Sequence, residues 1–71
     1  MMRLNDLLRT LSPSLPVALL RGLDRLVLRY IRGTQAYVYP DGVLDSRRYQ
    51  VTRIGPDPDD PPGLIIDIEP V

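Results

Sequence analysis

The chain has 71 residues, with nine arginines balanced by nine acidic residues and no cysteine, histidine or lysine. A chain of that size has room for one small core, which must be held by apolar packing, because disulfides and thiolate metal sites are excluded. The common general base, the common metal ligand and the lysine nucleophile are also missing, so the composition argues against an enzyme and against any metal or cofactor.

A single domain over residues 1–71 is expected, with a helical part at 4–33 and a β-meander at 35–69. Arg3, Asn5 and Asp6 interrupt the amino terminus before a run of secretory length accumulates. The longest aliphatic run, Val17 to Leu20, falls far short of the ~20 residues of a membrane span. A cytoplasmic protein is the simplest expectation.

Leu4, Leu7, Leu8 and Leu11 stand at i, i+3, i+4 and i+7, one face of a short helix that must stop near Ser12-Pro13. Ser12 or Ser14 can cap a second helix from about Leu15 to Arg32, which Gly33 is placed to end. Its apolar stripe would be Leu19, Leu20, Leu23, Leu26, Val27, Tyr30 and Ile31, with Gly22 costing about 1 kcal/mol relative to alanine.

Beyond Gly33 the period changes to alternation. Ala36 and Val38 oppose Tyr37 and Tyr39, which predicts a first strand. Tyr39-Pro40-Asp41-Gly42 is a turn signal. Arg47 to Ile54 predicts a second strand, and Leu64 to Glu69 a third with Leu64, Ile66 and Ile68 on one face. Between them, residues 55–63 hold four prolines and two glycines and read as an exposed loop outside any sheet. Helices followed by strands predict an α+β fold, two amino-terminal helices packed on a small three-stranded antiparallel sheet, ααβββ.

Two constellations are candidates for recognition. On the second helix, Arg21, Arg25, Arg29 and Arg32 are spaced to occupy an arc of roughly 80°, a basic ridge opposite the apolar stripe. At about 1.5 Å per residue the ridge would run roughly 16 Å, long enough for several phosphates or a row of carboxylates. Tyr37 and Tyr39 share a sheet face that Tyr49 joins if the first two strands pair, and with Arg48 alongside they form a Tyr/Arg surface typical of protein-binding hot spots.

Charge is segregated. Residues 1–56 carry nine arginines against Asp6, Asp24, Asp41 and Asp45, a net +5, while residues 57–71 carry five acids and no base, a net −5. The acidic loop could therefore fold back on the ridge. A calcium loop is a poor match to Asp57, Asp59 and Asp60, because the twelfth position from Asp57 is Ile68, where a glutamate is required.

The sequence thus predicts a small non-enzymatic protein-binding module, a regulator, inhibitor or adaptor working through Arg21, Arg25, Arg29, Arg32, Arg48, Tyr37, Tyr39 and Tyr49. Nucleic acid is the alternative partner, against which zero net charge and the lack of Asn or Gln on the ridge both count. A structural or assembly subunit ordered as a homo-oligomer is the third reading, since so short a chain gains by association.

Overall fold

A computed structural model describes residues 2–12, 14–31, 36–38 and 44–71. Helix α1 spans Leu4–Thr10 and buries Leu4 and Leu7, as the leucine spacing requires, with Asp6 in its first turn and Arg9 in its last. Both charges complement the helix dipole.

The second predicted helix does not form. Residues 17–31 instead make a hairpin, β1 (Val17–Arg21) and β2 (Asp24–Ile31), paired antiparallel from Val17 opposite Leu28 to Arg21 opposite Asp24. Gly22 decides the matter. With φ +61 it occupies the first central position of a two-residue turn, where the twist-matched hairpin turns need positive φ. The leucines that fit a helical stripe also alternate, Val17 with Leu19 and Leu26 with Leu28, so either period could use them.

Strand β3 (Ala36–Val38) pairs antiparallel with β2, β4 spans Tyr49–Pro56 after a 3-10 turn at Ser46–Arg48, and β5 spans Leu64–Pro70. The strand order is β3-β2-β1-β5-β4. Strands β1 and β5 run parallel at the centre, Val17 beside Leu64 and Leu19 beside Ile66, whereas β4 and β5 are antiparallel. The α+β class stands, but the architecture is corrected to one helix and a mixed sheet, with β2-β1-β5-β4 as its body. A three-stranded meander is ruled out because β3 and β4 occupy opposite margins. The predicted turn at residues 39–42 lies outside the described residues, apart from which 36–38 and 49–56 do not pair.

One face of the sheet carries the core. Leu4 and Leu7 from α1 meet Val17, Leu19, Leu28, Ile66 and Ile68, with Leu44 beside them, and Leu8, Leu11, Leu26, Tyr49 and Val51 packed at the margin. Fully burying aliphatic side chains such as Leu4, Leu19 and Ile66 contributes about 1.5–3 kcal/mol each before entropy is subtracted.

Gly55 and Pro56, expected outside the sheet, belong to β4, with Pro56 opposite Leu64. The next residue, Asp57, donates its amide to Gly63, so by alternation the missing amide of Pro56 faces away from β5 and costs no ladder bond. The β4 ladder slips once, between Val51 and Arg53.

Because L side chains disfavour positive φ by about 1–2 kcal/mol, Gly22→Val should lower unfolding free energy by that amount and Gly22→Asn by less. Urea denaturation measures both. Equal effects of the two would contradict the hairpin, since a helix interior does not favour asparagine over valine.

Candidate docking surface

The cross-strand register assigns the second face of the sheet. Ala18 lies between Val27 and Ile65, and Leu20 between Arg25 and Asp67, with Arg53 opposite Asp67 and Gly55 opposite Ile65. Among the described residues no helix covers this face, and Val27 is 53% exposed.

Arg25 and Asp57 meet over it. The Arg25 Nη2 lies 2.6 Å from Asp57 Oδ2, and its Nη1 3.9 Å from Asp59 Oδ2. Strands β1 and β5 separate β2 from β4. In a flat sheet those margins would stand about 14 Å apart, so the contact draws on the right-handed twist that sheets carry and on the place of Asp57 in the loop beyond β4. Ala18 and Asp57 are both buried, 3% and 4% exposed.

Asp57 also organises the loop that follows. Its Oδ1 accepts from the Asp59 amide, its amide donates to Gly63 O, and Gly63 donates to Asp60 O. Gly63 is required there, because an added Cβ would stand 2.6 Å from Asp60 O and 3.0 Å from Pro16 O.

Beside this ion pair, toward β4, lies a groove of about 300 Å³ lined by Leu20, Arg53, Ile54, Gly55, Pro56 and Ile65. Its floor is aliphatic. Arg53 stands at its margin, held by Asp67 at 2.9 Å. A Cβ built on Gly55 meets nothing within 4 Å, so the groove has space that the chain itself leaves unfilled.

The arginine ridge is not present. Arg21 donates to the Tyr49 hydroxyl at 3.1 Å and pairs with Asp24 at 3.4 Å, and these two partners, the Tyr49 bond foremost, raise its pKa further above an already high ordinary value. Arg25 is held by the acidic loop, which does fold back. Arg29 is exposed on β2, opposite Val38, and Arg32 lies outside the described residues. Four side chains on a helix would share one side, but on a hairpin Arg21 points to one face and Arg25 and Arg29 to the other.

The tyrosine surface is likewise dispersed. Tyr37 pairs with Tyr30 at the β3 margin, Tyr49 packs against the core from the β4 margin, and Tyr39 lies outside the described residues. Arg48 is exposed near Asp45, at 3.8 Å. Among the described residues, Arg21 and Tyr49 are the predicted pair that a hydrogen bond brings together. Sequence spacing does not single out the groove residues, because Leu20, Ile54 and Ile65 come from separate strands. The available signal was that Val17-Ala18-Leu19-Leu20 and Leu64-Ile65-Ile66 are apolar on both faces, the pattern of strands covered on both sides.

Among the described residues no three acidic side chains converge as metal ligands, and no helix is long and apolar enough to cross a membrane.

Removing Arg25 strands a buried carboxylate, whereas Asp57→Asn keeps the loop acceptor and leaves a guanidinium that is partly in water. Arg25→Met should therefore cost about 2–4 kcal/mol and Asp57→Asn clearly less, as denaturant midpoints will read. The reverse order would contradict the geometry.

At the opposite end of the molecule the Arg47 side chain, then its backbone amide, holds the Asp45 carboxyl below its ordinary range. A depressed carboxylate stabilises the fold above its unfolded pKa and loses that contribution as pH falls through the folded one. Acid titration of Asp45→Asn should thus show a shallower loss of stability below about pH 4 than wild type, and parallel curves would remove the assignment.

No family model, curated protein or solved structure matches the chain.

Proposed function

We propose that this chain is a small protein-interaction module that acts by binding rather than by catalysis, and that its working surface is the groove on the second sheet face. The observation that carries the reading is that β1 and the first three residues of β5, Leu64 to Ile66, put aliphatic side chains on both faces of the sheet. Parallel strands are normally covered on both sides, and here α1 covers one. Leu20 and Ile65 then supply an apolar anchor site, Ile54, which pairs with Ile66, lines its side along β4, and Arg53 with Asp67 gives a polar margin, the anatomy expected of a protein interface.

At the β4 edge strand addition is a weaker mode of binding. The β4 edge is occupied at Val51, whose amide donates to Met2 O at 2.9 Å, and Arg3 bridges Gln50. Farther along, the slip after Val51 and the amide-free Pro56 blunt the same edge, devices that discourage pairing with another chain.

Nucleic-acid binding loses its main support. Arg21 and Arg25, two of the four arginines expected to form one ridge, are paired with Asp24 and with Asp57 and stand on opposite faces of the hairpin, so no single basic ridge supports phosphate binding.

Immobilised wild type, Gly55→Leu and Arg9→Glu variants, each exposed to extract of the source cell, test the reading. Filling the groove with Gly55→Leu should reduce capture of specific proteins about tenfold or more, the loss of an anchoring contact of at least ~1.4 kcal/mol. The exposed Arg9 on α1 serves as the remote control and should leave capture unchanged. Capture indifferent to Gly55→Leu, with the variant folded, would refute the groove as the working surface.

A further inference from the structure

We propose that the groove takes the β1-β2 hairpin tip of a second copy of this chain, with Leu23 as the inserted side chain. This rests on the groove reading above and names its occupant.

Leu23 is 103% exposed. It sits at the second central position of the Gly22-Leu23 turn, where the backbone requirement falls on Gly22 and the residue beside it is free to be polar. A leucine there contributes nothing to its own fold and leaves a full aliphatic side chain in water at the far point of a hairpin. Its own groove does not receive it, because it is fully exposed.

Size and charge favour this occupant. A volume of about 300 Å³ lies at the small end of ligand sites and suits one aliphatic side chain with its flanking backbone. The tip carries Asp24 and Arg21, with side chains 67% and 37% exposed and 3.4 Å apart. The groove margin carries Arg53 and Asp67, 77% and 26% exposed and 2.9 Å apart. Docking sets the exposed Asp24 against the exposed Arg53, an opposite-charge match that leaves the Arg21 bond to Tyr49 in place. The formal net charge of zero leaves no long-range repulsion between copies.

One knob in one groove buries less than the roughly 1,200 Å² of a stable interface, so association should be weak and emerge above about 100 μM. Light scattering or sedimentation from about 10 μM to about 1 mM reads it. Wild type should rise from 8.0 kDa to at least twice that mass, and Arg9→Glu should follow it. Leu23→Ser should stay at 8.0 kDa, and its fold is safe because the side chain touches nothing. Gly55→Leu should stay there too. Mixed in equal amounts, the two variants should associate again and stop at a dimer, since one retains an intact groove and the other an intact tip.

A wild type that stays monomeric, undiminished association of Leu23→Ser, or a mixture that remains monomeric while wild type associates overturns the proposal. If wild type is monomeric but extract capture still depends on Gly55, self-docking fails and the groove reading survives. Dependence on Gly55 in neither assay ends both.

Discussion

A guanidinium on β2 reaches over two intervening strands to a carboxylate just past β4, and the shape of this small molecule follows from that contact. Arg25 and Asp57 meet at 2.6 Å across β1 and β5. A buried carboxylate without a partner would cost several kcal/mol, so the buried Asp57 holds the Arg25 side chain over this face. The same aspartate fixes the loop through the Asp59 amide and Gly63. The ion pair ties margin, loop and central strands together, and the groove lined by Leu20, Gly55, Pro56 and Ile65 lies beside it on the second face. The ion pair is thus a constraint on shape more than a reserve of stability, since isolated pairs of this kind contribute little beyond the desolvation they offset.

The local elements were legible where one period dominated. Leu4, Leu7, Leu8 and Leu11 fit a helix and nothing else, and Ile66 and Ile68 alternate with Asp67 and Glu69 as a half-buried strand must. Residues 15–32 were ambiguous for a physical reason. Leucine has good helix propensity, yet Val17, Leu19, Leu26 and Leu28 also satisfy a two-residue period, and tertiary pairing overrides weak propensity. Inside a helix Gly22 is a tolerable cost, whereas its φ of +61 makes it the residue on which the hairpin turns. Two short apolar segments with a glycine between them are a hairpin signal too.

The candidate site was much less legible. Its residues come from β1, β4 and β5, and the parallel pairing of β1 with β5 joins positions 17 and 64, a partnership no local pattern encodes. Arginines spaced for one helical face become, on strands, side chains of opposite faces, and Arg21 and Arg25 are consumed by Tyr49, Asp24 and Asp57. What the sequence did carry was a surplus of apolar side chains. Ala18, Leu20, Val27 and Ile65 exceed what one seven-residue helix can cover, and that surplus marks the second face.

The contact between Arg25 and Asp57 is the most direct measure of this account. Proton Overhauser spectra of the isotopically labelled chain should connect the Arg25 side chain to the Asp57 β-protons, across β1 and β5. Contacts from Arg25 confined to Arg21 and Arg29, as a continuous helix would give, or the absence of any contact with Asp57, would contradict the strand arrangement and the second face that carries the groove.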